Sequence, residues 1–284
     1  MMHIDGASPP DLSHTIADRV ARTCATHSPA APGLPLGVLA SLALLRPDDL
    51  HDSDPAKAAR ALCALPDDQI GMALLRTWRT FARSRPDLLY QALPLAKAVW
   101  NPHGNDHCAT LAALARAAVD AGLFHLTLAP GPVTVDLFGP LLDALSAKAQ
   151  RDGQGQFRTP SDATALLSWL VLHDAPGPGH RASFTETAAG TGGIVLAHAL
   201  RLREQGHDPA DMHWEMVDAD PWAAACLAVN AHLWGLGPHV LIGCADVLAR
   251  DWRPLARSQR ALGTGLARLR PAYDLLAAPT PESP

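Results

Sequence analysis

The sequence predicts an α/β fold in which a helical region comes first and a parallel sheet with crossover helices follows. Three observations lead there. From Leu36 to about Val135, apolar residues recur at helical spacing between prolines; from Ala182 onward, strand-like and helical runs alternate; and the 284 residues are 48% hydrophobic and 18% charged, the balance of a chain with a substantial core.

The elements follow in order. Met1 to about Pro32 is rich in Ser, Pro, His and Ala, with one helical stretch from Asp11 to Cys24, so residues 1–34 are expected to be a flexible, loosely held start. Residues 35–150 are expected to form a helical domain. Its apolar stripes are Ala59, Leu62 and Cys63, then Met72, Leu75, Trp78 and Phe81, then Leu88, Leu89 and Leu93, with Pro47, Pro55, Pro66, Pro86 and Pro94 among the prolines that mark helix boundaries. Core packing is the expected role of these stripes. An amphipathic helix is expected over Val135–Gln150, a break at Gly153–Gly155, and a further helix over Ser161–His173. Residues 151–284 form the second expected domain. Its strands are Ala182–Thr187, His213–Asp218, His239–Gly243 and a short Tyr273–Ala278, and its helices are Gly192–Gln205 and Pro221–Gly235.

Composition excludes several classes. The longest apolar run, Leu34 to Leu45, is too short to span a bilayer, and His3 and Asp5 stand where a secretory signal needs a basic region, so a cytoplasmic protein without a membrane partner is expected. Five cysteines without a C-x-x-C pair suggest neither a disulfide framework nor a zinc knuckle, and none of the fourteen histidines stands at metal-ligand spacing. A formal charge of −5 argues against a uniformly basic nucleic-acid binder.

The chemistry concentrates after the Ala182–Thr187 strand, where Gly190-Thr191-Gly192-Gly193 leads straight into a helix. Glycines there let the backbone approach a ligand with no side chain between. Asp218, at the end of the next strand, is placed to accept the hydroxyls of a ribose. No Lys follows the glycines, which argues against a phosphate-binding P-loop.

Residues 153–246 resemble the modification-subunit type of adenine-N6 DNA methyltransferase found in type I restriction systems. Gly155-Gln-Phe-Arg-Thr-Pro160 matches the family's G-Q-F/Y-Y/F-T-P element except at Arg158, and Glu186-Thr-Ala-Ala-Gly-Thr-Gly-Gly193 matches D-P-A-C-G-T-G-G in kind. Asp218-Ala-Asp-Pro221 lines up with E-x-D-P, the run Ala224–Gly235 with A-x-x-N-x-x-x-x-G through Asn230, and Gly243-Cys-Ala-Asp-Val-Leu248 with a G-x-x-L element carrying an acid. The resemblance implies a helical domain followed by an incomplete doubly wound, Rossmann-like methyltransferase sheet that stops after its fourth strand. It also implies S-adenosyl-L-methionine as cofactor. On that implication Glu186 pairs with the methionyl ammonium beside the backbone of Gly190, Thr191 and Gly192. Asp218 holds the ribose, Asp246 accepts the adenine amine, and Phe157 and Thr159 close over the methionyl end. Asp220 is expected to cap the helix that starts at Pro221.

The match breaks at the family's N-P-P-F/Y tetrapeptide, which binds and stacks on the flipped base. The corresponding stretch is Tyr273-Asp-Leu-Leu-Ala-Ala-Pro-Thr-Pro281; Ala278, Pro279, Thr280 and Pro281 supply neither the Asn nor the aromatic, so no catalytic residue is assigned. Between Val247 and Arg270 six arginines face one acid, Asp251, a local balance of +5. Arg253, Arg257 and Arg260 in this connector are the candidates for contact with DNA beside the cofactor site; a solvated connector is the alternative. Three functions share the pocket: an adenine-N6 DNA methyltransferase-like protein, impaired or dependent on a partner chain that completes the sheet or supplies target recognition; a non-catalytic scaffold or sensor; and a methyltransferase acting on a non-DNA substrate.

Overall fold

The computed structural model describes residues 8–27, 33–46, 53–100, 105–146 and 182–276. Eight helices precede the sheet within them: α1 (Pro9–His27), α2 (Gly33–Ala43), α3 (Pro55–Cys63), α4 (Asp67–Ser84), α5 (Leu89–Val99), α6 (Asn105–Asp120), α7 (Leu123–Thr127) and α8 (Gly139–Leu145). Strands and helices then alternate as β1 (Ser183–Glu186), α9 (Gly193–Glu204), β2 (His213–Asp218), α10 (Pro221–Leu233), β3 (Val240–Cys244) and α11 (Arg253–Leu276). The chain is thus a helix-rich α/β protein with a small sheet. Among the described residues, no helix is long and apolar enough to cross a membrane.

All three strands are parallel, in the order β1-β2-β3, with Glu186 opposite Met216 and Asp218 opposite Cys244. Parallel neighbours need a crossover, and α9 and α10 supply it. α10 is apolar almost throughout, and a helix of that kind must be covered all round. Accordingly every residue from Ala223 to Ala231 is buried, between the sheet on one side and α2 and α5 on the other. Its start is fixed by Asp220, whose side chain accepts from the Trp222 amide at 2.9 Å, with Pro221 in the first turn.

Successive strand residues face opposite sides. Trp214, Met216, Val240 and Ile242 join one continuous core that includes Leu12, Leu39, Leu74, Leu114 and α10. Val217 and Leu241 face the other side, where Ala245, Trp252 and Ala256 form a smaller cluster beneath the start of α11. Gly243 makes that approach feasible, because a Cβ there would overlap the Trp252 ring. At the β3 edge, the Gln91 side-chain amide donates to the Ile242 carbonyl at 2.9 Å, so a helix residue satisfies a backbone group that no further strand among the described residues reaches.

Several expectations are corrected. The expected loose start contains the packed helix α1, whose buried Leu12, Ile16, Val20 and Cys24 recur every fourth residue and so keep to one face. In α4 the buried stripe is Ile70, Leu74, Trp78 and Phe81, while Met72 is 50% exposed. A strict three-residue repeat from Met72 drifts steadily around a helix of 3.6 residues per turn, so Met72 and Phe81 lie on opposite faces. The helix expected over Val135–Gln150 begins only at Gly139. The expected fourth strand, Tyr273–Ala278, is helical through Leu276 as the end of α11. Tyr273-Asp-Leu-Leu contains no β-branched residue to favour a strand. The expected helix Ser161–His173 and the break at Gly153–Gly155 lie outside the described residues.

Candidate functional site

The three acids singled out in the sequence stand at one end of the sheet. Glu186 is the last residue of β1, Asp218 the last of β2, and Asp246 follows β3 by two residues. This is the carboxyl end of parallel strands, where open α/β sheets bind ligands.

The loop from β1 to α9 is held at each residue from 189 to 192. The Ala189 amide donates to the Val217 carbonyl at 3.0 Å, and the Gly190 amide donates to Asp218 Oδ2 at 2.7 Å. The Thr191 hydroxyl donates to Asp136 Oδ2 at 2.5 Å, and the Gly192 amide donates to the Ala189 carbonyl at 2.8 Å. Gly190 and Gly192 take φ of 55° and 103°, the left-handed region that glycine reaches without strain. They differ in surroundings. A Cβ on Gly192 would lie 2.7 Å from Leu227 and Trp234, whereas one on Gly190 or Gly193 would meet nothing within 4 Å. Gly192 is required by packing, and Gly190 and Gly193 border space that none of the described residues fills.

Asp218 holds its own surroundings as well: Oδ1 accepts from the Asp220 amide at 2.8 Å while Oδ2 accepts from Gly190. Glu186 Oε1 accepts from the Ala188 amide at 3.1 Å, and exposed Asp246 accepts from the Leu248 amide at 2.9 Å. A carboxylate has about four acceptor positions, so each acid retains capacity for a ligand. Thr191 is 3% exposed and points at Asp136, so only its backbone belongs to the loop surface. Cys244, close by, is a thiol whose pKa is raised by burial and then by Asp218 and Asp220. That environment disfavours a thiolate nucleophile. Among the described residues no group of three His, Cys, Asp or Glu could hold a metal.

Two residues that the sequence reading left out of the site support it. Asp136 Oδ1 accepts from the amides of Phe138 and Gly139 at 3.0 Å and from Asn230 Nδ2 at 3.0 Å, and Asn230 Nδ2 also donates to the Thr191 carbonyl at 2.8 Å. An acid shortly before Gly139-Pro140 is a helix-start signal, and a lone amide in the apolar α10 signals a buried polar contact.

Phe157 and Thr159, and Ala278, Pro279, Thr280 and Pro281, lie outside the described residues. Arg253, Arg257 and Arg260 are placed on α11, over the second face of the sheet, away from the acids. Arg253 Nε donates to Glu215 Oε2 at 2.6 Å, and this bond raises the pKa of its guanidinium; Arg257 lies 3.6 Å from Glu215 Oε1; Arg260 donates to the Pro238 carbonyl at 2.6 Å. The connector expected beside the cofactor site is therefore a helix that runs back toward the amino ends of the strands. There a cleft of about 640 Å³ is bordered by Ser183, His213, Glu215, His239, Arg257 and Arg260.

No family model and no curated protein matches the chain. Among solved structures it is similar to the crystal structure of the type I restriction-modification system methyltransferase subunit from Streptococcus thermophilus, at 14% identity and a TM-score of 0.41. The match covers 87% of this chain and 60% of that one, so the chain spans less than two thirds of that protein's length.

Proposed function

We propose that this chain binds S-adenosyl-L-methionine at the carboxyl ends of β1, β2 and β3, as an adenine-N6 DNA methyltransferase-like protein whose methyl transfer is impaired or dependent on a partner chain. One observation carries the reading: the Gly190 amide sits on Asp218, and among the described residues nothing lies within 4 Å of a Cβ placed on Gly190 or Gly193. The fit is chemical as well as steric. Glu186 offers a carboxylate to the methionyl ammonium, Asp218 offers its remaining lone pairs to the ribose hydroxyls, and Asp246 offers an acceptor to the adenine amine. By the sequence resemblance, Phe157 and Thr159 close the methionyl end. The cofactor's contribution is an electrophilic methyl group on a sulfonium; these residues hold and orient it.

Calorimetry with S-adenosyl-L-methionine and with its demethylated product tests the reading. Saturable binding of both supports it, and no binding of either overturns it.

The non-catalytic scaffold or sensor is the second reading. Its support is the absence of Asn and an aromatic from Ala278–Pro281, together with a helix over Tyr273–Leu276 where the resemblance calls for a strand.

A further inference from the structure

We infer that Asp136 is a positioning residue for the cofactor loop, and that through it the helical region and the loop act as one unit. The inference rests on the cofactor reading above for its meaning, but its geometry stands apart from it. Asp136 precedes the sheet by nearly fifty residues in sequence, yet its two carboxylate oxygens divide between two tasks. Oδ1 accepts from the Phe138 and Gly139 amides at the start of α8 and from Asn230; Oδ2 accepts from the Thr191 hydroxyl at 2.5 Å.

The segment carrying Asp136 is itself tied down. The Val133 amide donates to the Leu233 carbonyl at 3.0 Å, and Trp234 Nε1 donates to the Val135 carbonyl at 2.9 Å. Asn230, on the same helix end, holds the Thr191 carbonyl at 2.8 Å. The end of α10, the 133–139 segment and the loop are thus one hydrogen-bonded body. Of Gly190, Thr191 and Gly192, only Thr191 has a side chain of its own with which to anchor the loop. A hydrogen bond to a carboxylate is stronger than one between neutral groups.

The test uses the full chain and the variants Asp136→Asn, Thr191→Val, Thr191→Ser and the Asp136→Asn/Thr191→Val double. Cofactor affinity, thermal midpoint and amide exchange are measured on each. Asp136→Asn and Thr191→Val are expected to weaken S-adenosyl-L-methionine binding about tenfold or more, the range of a charge-assisted hydrogen bond. The double variant is expected to be no weaker than either single one, because both remove the same bond. Thr191→Ser, which keeps the hydroxyl, is expected to recover most of the affinity. In the absence of cofactor, the amides of residues 190–192 are expected to exchange faster in both single variants, and in wild type cofactor is expected to slow exchange over 133–139.

Lowered thermal midpoints with unchanged affinity and unchanged loop exchange would make Asp136 merely structural and overturn the inference. Additive losses in the double variant would overturn it too. If Asp136→Asn does not fold, the near-isosteric Thr191→Val and its Ser counterpart decide alone. Wild type that binds no cofactor overturns the functional reading, while loop exchange still decides the positioning role.

Discussion

Gly190 gives its amide hydrogen to Asp218 Oδ2 at 2.7 Å, so the acid that ends β2 fixes the loop that leaves β1. Asp218→Ala should therefore act twice, by removing an acceptor for the ribose and by releasing the loop. Cofactor affinity should fall by roughly 1.5–3 kcal/mol, the worth of charge-assisted hydrogen bonds. Isothermal calorimetry reads this directly, and equal binding by wild type and variant would sink the ribose assignment.

The glycines should separate fold from binding. Gly192→Ala forces a Cβ to within 2.7 Å of Leu227 and Trp234 at a φ of 103° and should cost on the order of 2–4 kcal/mol of stability. Gly193→Ala meets nothing within 4 Å and should leave the thermal midpoint nearly unchanged while weakening cofactor binding. Denaturation and calorimetry on both variants check the contrast.

Why the site's main parts were legible in sequence, and others were not, follows from the same residues. β2 is legible with its bounds intact, His213–Asp218, because a short alternating segment lies between a turn-rich stretch and the Asp218-Ala-Asp-Pro221 helix start. Glu186, Asp218 and the glycines are signalled locally by a strand running into a turn. The bond from Thr191 to Asp136 joins residues 55 apart, and no local pattern marks such a pair. The sequence of α11 suggests a connector and a strand because Gly263, Gly265 and Pro271 resemble loop residues. What decides in its favour is tertiary: Ala256 and Trp252 are buried on the sheet, and Gly263 lies where a Cβ would overlap the Pro86 carbonyl.

Acid should weaken the fold through two histidines. His198 packs against Phe184, with ring centroids 4.5 Å apart, and burial pushes its pKa down to about 4. His232, against Phe81, falls to about 4 by burial first and then by Arg85 and Arg46, with Asp87 opposing. Both are neutral when folded and take up protons when unfolded below about pH 6.5. Their effect on stability is therefore absent above that pH and grows as a loss between about pH 6.5 and 4. The loss is on the order of 3 kcal/mol for a fully shifted histidine, and smaller for the half-buried His232. Chemical denaturation across this window should show a steeper decline in wild type than in His198→Phe.

DNA affinity, if carried by α11, should be salt-sensitive and fall when Arg257 and Arg260 become Ala. Arg257 is the more available of the two, with its side chain 63% exposed and its Glu215 contact at 3.6 Å. Fluorescence anisotropy at low and moderate salt measures it. Absence of binding at low salt would favour the scaffold reading.

Methyl transfer by this chain alone should be undetectable. A target amine must stand in line with the sulfonium methyl, and positioning supplies much of the rate. Ala278, Pro279, Thr280 and Pro281 offer neither an amide acceptor nor a stacking ring. Labelled methyl incorporation into DNA of mixed sequence, with cofactor binding verified on the same preparation, is the measurement. Robust turnover would show that another residue does the positioning.

The core that begins at Leu12 in α1 continues without interruption through α2, α5 and α10 to Ile242 in β3. Such a core leaves no seam along which the helices and the sheet could part. Heating should accordingly give a single cooperative melting event, in which calorimetric and van't Hoff enthalpies agree. The loop from β1 to α9 then inherits its rigidity from packing that begins at the twelfth residue of the chain, and the helices and the sheet should unfold together.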